Sequence, residues 1–137
     1  MSINKSLILQ IYEASFSQND DLLSDLLKSQ KSSDASAYLG AALGMAASVC
    51  NVVAVECLIA NQQSWKIAPN GAYGLGRALF FGSQTGSLEI VRKILQHQNA
   101  SQIHQHGKHS LMHARVTALS INHQEIVELV SKKLNLL

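Results

Sequence analysis

The stretch Ala78–Gln96, ALFFGSQTGSLEIVRKILQ, decides how the rest of the chain is read. It divides into two short helices around a tight turn at Thr85-Gly86-Ser87. Leu79, Gly82 and Ser83 share one face of the first helix. Ile90, Val91, Ile94 and Leu95 recur at amphipathic spacing on the second. Helices this short are marginal in isolation, and one pair cannot bury its apolar side unaided. The pair needs neighbours of its own kind, so the chain is expected to supply copies.

Three further stretches fit the same outline. In residues 7–30, Ile11, Ala14 and Ser15 lie on a first helix and Asn19-Asp20-Asp21 supplies the turn with capping residues. Leu22, Leu23, Leu26 and Leu27 then give the second apolar face. Residues 34–61 place Leu43, Ala46 and Ala47 before a turn at Cys50-Asn51, then Ala54, Val55, Leu58 and Ile59. Residues 113–134 give Ala118 and Leu119, a turn at Asn122-His123, and Ile126, Val127 and Val130. The small residues Ala14, Ala46, Gly82 and Ala118 lie 32, 36 and 36 positions apart. Aligned on them, Leu23, Val55, Val91 and Val127 form one column, and Leu26, Leu58, Ile94 and Val130 another. The competing reading is a plain helical bundle with coincidental spacing.

Composition agrees with a helical domain. At 137 residues, 47% of them hydrophobic and 15% charged, the chain has material for one sizeable core and is unlike a disordered segment. One proline and 5% aromatic residues fit helices better than a β-sandwich. A net charge of +2 is too small a bias to imply nucleic acid or an anionic membrane as partner. The run Leu7-Ile8-Leu9 is too short for a secretory core or a membrane span. Cys50 and Cys57 are then expected to be reduced packing residues in a cytosolic compartment.

At Gly82–Leu95 the residues resemble the ankyrin repeat pattern, in which two small residues, two variable ones and a glycine precede a helix reading E-I-V-x-x-L-L. Met45–Asn51 and Glu125-Ile126-Val127 match pieces of it. The resemblance runs from about Leu7 to Leu134 and implies an all-α fold, a short helical-repeat solenoid of about four ankyrin-like units at about 4–32, 34–63, 72–98 and 109–134. The ends would act as caps, with Asp20, Asp21, Asp25 and Lys28 on one and Glu128, Lys132 and Lys133 on the other.

Departures from the family are specific. Its T-P-L-H start appears as Ala41-Ala42-Leu43-Gly44, Arg77-Ala78-Leu79-Phe80 and His113-Ala114-Arg115-Val116. Without that Thr–His pair, successive units are expected to hold together more by apolar packing. Gln62 and Gln98 stand where glycine usually ends the second helix, a costlier residue in left-handed conformation. Among the connectors, 61–73 carries Pro69 and an Asn70-Gly71 hairpin signal, whereas 98–110 carries only Gly107. Phe80 and Phe81 beside Gly82 are unusual. One is expected to fill the space that Gly82 leaves, the other to meet a neighbouring unit or a partner.

The function that the resemblance implies is non-catalytic protein recognition by a monomer, with no cofactor, on the concave face formed by the connectors and first helices. Its contact positions carry over to Phe16, Ser17, Ser48, Val49, Gln84, Thr85, Ser120 and Ile121 on the first helices. On the connectors they carry over to Ala37, Tyr38, Tyr73, Gly74, His109 and Ser110. Tyr38 and Tyr73, rigid and amphipathic, would anchor a protein partner. A second reading rests on histidines: His104, His106, His109 and His113 lie within ten positions, a spacing that can hold zinc or titrate together near pH 5–7. No cysteine or acidic residue stands among them, so metal is the weaker half of that reading. A third, a ligand-binding helical bundle, needs a closed pocket with convergent polar groups, and the sequence offers no such set.

Gly71, Gly74 and Gly76 lack the Lys-Ser/Thr of a phosphate loop. Trp65 reads as a lid over the second unit's core or, alternatively, as an exposed anchor. The partner's compartment is expected to be the cell's own cytosol, or a host cytosol if the protein is delivered there. The tail Leu134-Asn135-Leu136-Leu137 suits a secretion tag as well as a frayed helix end.

Overall fold

The computed structural model describes residues 10–11, 13–29 and 35–136, with the side chains of 28–29 and 35–38 outside the description. Every regular element among them is helical. Helix α1 covers residues 10–11 and 13–17. It is followed by α2 (Asp20–Ser29), α3 (Ala35–Ser48), α4 (Val52–Ala60), α5 (Leu75–Gln84), α6 (Leu88–Leu95), α7 (Leu111–Ser120) and α8 (Gln124–Lys133). No helix among the described residues is long and apolar enough to cross a membrane.

The turns inside the pairs repeat atom for atom. The backbone N–H groups of Asn19, Asn51, Ser87 and His123 donate to the carbonyls of Ala14, Ala46, Gly82 and Ala118, at 3.1, 2.8, 2.9 and 2.9 Å. One residue earlier the chain is left-handed, at Gln18 (φ 63°), Cys50 (57°), Gly86 (73°) and Asn122 (58°). This is the six-to-one closure that satisfies carbonyls at a helix C-terminus. The closing residue then caps the next helix with its side chain. Asn19 Oδ1, Asn51 Oδ1, Ser87 Oγ and His123 Nδ1 accept from the N–H three residues on, at 3.3, 3.1, 3.3 and 3.4 Å. Asp20 and Asp21 are therefore first-turn residues of α2, where acidic groups suit the dipole, and Asn19 is the cap.

The pairs stack in order. Helix α3 packs on α5 and α5 on α7, while α2, α4, α6 and α8 form a second row. The shared core is continuous from Ile11 to Leu134 and includes the predicted column Leu23, Val55, Val91 and Val127. Gly82 is buried under the methyls of Ile90 and Val91, and a Cβ there would come within 2.9 Å of Ile90 Cγ2 and 3.4 Å of Val91 Cγ2. Neither phenylalanine fills that space, contrary to the sequence expectation. Phe81 instead rests half-buried against the core edge.

The connectors differ from expectation in three ways. Asn70-Gly71 makes no β-hairpin, since no strand exists among the described residues. Connectors 61–74 and 97–110 share one conformation instead, each with a 3-10 turn (Ser64–Lys66 and Ala100–Gln102) and one left-handed glycine, Gly71 (φ 93°) or Gly107 (φ 103°). Leu75 and Leu111 donate to Ala68 and His104, both at 2.8 Å, and Gly76 and Met112 to Pro69 and Gln105, both at 3.0 Å. Second, neither Gln62 nor Gln98 is left-handed. Third, polar ties between pairs are present, made by residues other than a Thr–His pair. Asn51 Nδ2 reaches the Ser15 carbonyl at 3.1 Å. Asn70 accepts from His104 N–H at 2.8 Å and donates to the Gln102 carbonyl at 2.9 Å. Asn99 Nδ2 donates to the carbonyls of Trp65 and Ile67, at 2.9 and 2.8 Å.

Two glycines show how closely these layers approach. A Cβ on Gly40 would run into the Tyr73 carbonyl, and one on Gly76 into the His109 carbonyl. Each connector therefore lays its backbone on the N-terminal half of the preceding first-row helix.

Candidate functional site

The exposed side of α5 carries Arg77, Phe80, Phe81 and Gln84, spaced i, i+3, i+4 and i+7, because Ala78, Leu79, Gly82 and Ser83 turn the opposite side into the core. The stacked helix α7 brings His113 and Val116 alongside, and the connector brings His109. His109 is held at φ 57° with its carbonyl against Gly76, which fixes where its ring stands. A β-substituted residue is uncommon in that conformation, and such strain gathers at functional positions.

The four rings form one cluster. Phe80 lies 4.9 Å from His113, 5.6 Å from His109 and 5.3 Å from Phe81, between ring centroids. The two imidazoles are nearly parallel, 8° apart in plane, with centroids 6.5 Å apart. His113 Nδ1 accepts from the His109 N–H at 3.3 Å. The Arg77 guanidinium sits 5.0 Å from the Phe81 ring centre, a cation–π distance. Burial lowers the His109 pKa from its usual 6.5, and the charges of Lys108, Arg77 and His113 push the same way.

Further along the first row, Phe16 stands 57% exposed beside Glu13, Ser17 and Met45, which line a shallow recess with it. Charge is divided between the rows. Of the described carboxylates, Asp20, Asp21, Asp25, Glu56, Glu89, Glu125 and Glu128 all stand on α2, α4, α6 and α8. Glu13 on α1 is the exception. Helices α3, α5 and α7 and connectors 61–74 and 97–110 contain no acidic residue.

The positions expected to bind a protein fare unequally. Tyr73 is 53% exposed and Gln84 is exposed, both open to a partner. Val49 is half-buried in its turn. Ser48, Thr85 and Ser120 each direct the hydroxyl proton back into their own helix, to the carbonyls of Met45, Phe81 and Thr117 at 2.7, 2.9 and 2.7 Å. Ser110 is fully buried and caps α7, accepting from His113 N–H at 3.1 Å, so it is not a contact residue. Tyr38 belongs to α3, and its side chain, like that of Ala37, lies outside the described residues.

Among the described residues no three His, Cys, Asp or Glu side chains converge as metal ligands. His104 and His106 are exposed on the connector, apart from the His109–His113 pair. His97 uses both ring nitrogens, donating from Nε2 to the Ser64 carbonyl at 3.0 Å and accepting at Nδ1 from Asn99 N–H at 3.0 Å. Trp65 is 56% exposed, with Lys66 Nζ 5.5 Å from its ring centre, so it is no lid. Ile67 fills the core there instead.

Sequence reasoning passed over Arg77 and the grouping of Phe80 with two histidines. The available signal was the acid-free sequence from Glu56 to Glu89 and from Glu89 to Glu125, together with the exposed side of α5. Comparison with family models, curated proteins and solved structures finds no match to this chain.

Proposed function

We propose that the chain is a short solenoid of about four ankyrin-like helix–turn–helix units that acts as a non-catalytic protein-recognition module. The partner lies along the exposed side of the first-row helices. One observation carries this reading: stacked, turn-locked helices present partly exposed apolar and aromatic groups, Phe16, Met45, Phe81, Phe80 and Val116, on successive helices of the first row. Such an extended surface fits a protein better than a small molecule, whose sites are concave and enclosing. The free thiols Cys50 and Cys57 suit a reducing cytosol, the cell's own or that of a host.

The test is site-specific photocrosslinking in cell extract, with the crosslinker at Gln84 or Ser120 on the first row and at Arg92 or Glu128 on the second. Discrete adducts from the first row alone are expected. Adducts from the second row alone, or equally from both, would overturn the assignment.

A further inference from the structure

Resting on that reading, we infer that the partner presents an acidic segment with an aromatic or apolar side chain, gripped by Arg77, Phe80, His109 and His113, and that acidification strengthens the grip.

Complementarity is the first argument. The elements that form the cluster lack carboxylates: α5 contributes Arg77, α7 contributes His113 and Arg115, and the connector contributes Lys108, His109, His104 and His106, whereas Glu89, Glu125 and Glu128 stand on α6 and α8 in the other row. The neighbouring connector adds Tyr73. Arg115 is turned away, donating from Nε to Ser131 Oγ at 2.8 Å. Among the described residues neither Arg77 nor Lys108 is in an ion pair, and Lys108 is exposed. A carboxylate arriving from outside would be the first acceptor they meet, and charge-assisted hydrogen bonds are the stronger kind.

The aromatic part follows from Phe80. Flanked by two imidazoles and Phe81, its ring offers an edge-lined platform against which one apolar or aromatic side chain can pack. The pH dependence follows from the same geometry. Partly buried His109 stands beside Lys108 and Arg77, which disfavours its charged form in the free cluster, and an incoming carboxylate offsets that. Proton uptake and binding then assist one another by linkage. Nucleic acid is the poorer fit, because two permanent cations neutralise little of a phosphate backbone.

The experiment selects binders from a displayed random-peptide library against the whole chain at about pH 5.5 and about pH 7.5. The enriched peptide is then measured by fluorescence anisotropy against the wild type, Arg77→Gln, Lys108→Gln and His109→Asn, each checked for folding by its melt. The expected peptide is net acidic with an aromatic residue. It should bind up to about tenfold more tightly at the lower pH, the effect of one unit in one histidine's pKa. Arg77→Gln should weaken it by about tenfold or more, and His109→Asn should flatten the pH response. A neutral or basic peptide that still depends on these residues overturns the acidic chemistry and leaves the first-row interface standing. A peptide indifferent to all three substitutions, or no enrichment at all, overturns both. Tighter binding of oligothymidylate than of the peptide would place the partner among nucleic acids and overturn the inference.

Discussion

Exchanging the left-handed residues of two turns tests the fold at its repeating joint. Cys50 and Gly86 occupy equivalent places, at φ 57° and 73°, but only one of them is glycine. Holding an L-residue in that region costs about 1–2 kcal/mol, and glycine gives back roughly 0.5–1 kcal/mol through its freer unfolded chain. Cys50 is exposed, so its removal forfeits no buried area. Cys50→Gly should therefore stabilise by about 0.75 kcal/mol, the midpoint of the roughly 0–1.5 kcal/mol that separates those two terms. Gly86→Ala should destabilise by about the same amount, and for backbone reasons alone. Its new Cβ would sit 3.4 Å from His123 Cδ2 and 3.6 Å from Ile121 Cδ1, which is ordinary contact or slightly tighter. Urea denaturation followed by circular dichroism reads both, with Cys50→Ala as the control that removes the thiol but keeps the strain. If Cys50→Gly destabilised, or Gly86→Ala were neutral, the left-handed closure would not be what joins these helices.

Other outcomes follow from single contacts. Gly76→Ala should cost more than about 2 kcal/mol, because overpacking here meets the backbone carbonyl of His109 and not a yielding side chain; a shift in thermal midpoint of a degree or less would contradict it. Ser83 is fully buried with no partner for its hydroxyl, so Ser83→Ala should be neutral or stabilise by up to about 1 kcal/mol in the same denaturation assay. The lowered His109 pKa disfavours its charged form in the fold, so that stability is intact above 6.5 and lost as pH falls from there towards the folded value. His109→Asn keeps a residue tolerant of positive φ and should flatten the decline in thermal midpoint over that range, whereas an unchanged slope would acquit His109.

The turns were legible because each needs a small residue where the carbonyl is approached and a capping side chain five residues later, both visible at constant spacing. Ala14 with Asn19 and Gly82 with Ser87 announce the same joint in different letters. The connectors were misread because Asn-Gly is a hairpin signal only where strands flank it, and here helices do. Leu119 follows Ala118 at a place that is buried in the earlier pairs, yet it is 43% exposed. Its equivalents Ser15, Ala47 and Ser83 are fully buried, and no further pair covers α7 among the described residues. On that same helix Arg115 stands where earlier pairs have Leu79 and Leu43, hydrogen-bonded to a serine in the place of Leu95. The aromatic–imidazole cluster was illegible because Phe80 and His113 lie far apart in sequence. They meet only through the stacking of α5 on α7, a distance that periodicity within one helix cannot express.

The double duty of Asn19, Asn51, Ser87 and His123 has a consequence for how such a chain can change length. One residue ends a helix with its backbone and starts the next with its side chain, so a single insertion there undoes both ends at once. The connectors carry no such shared residue and can lengthen or shorten independently. The first spacing of 32 against 36 fits this division, since the turn columns keep their register and the missing residues fall between α2 and α3. Grafting a loop into this scaffold should therefore succeed at the exposed connector tips, Gly71-Ala72 or His106-Gly107, and fail at the turns.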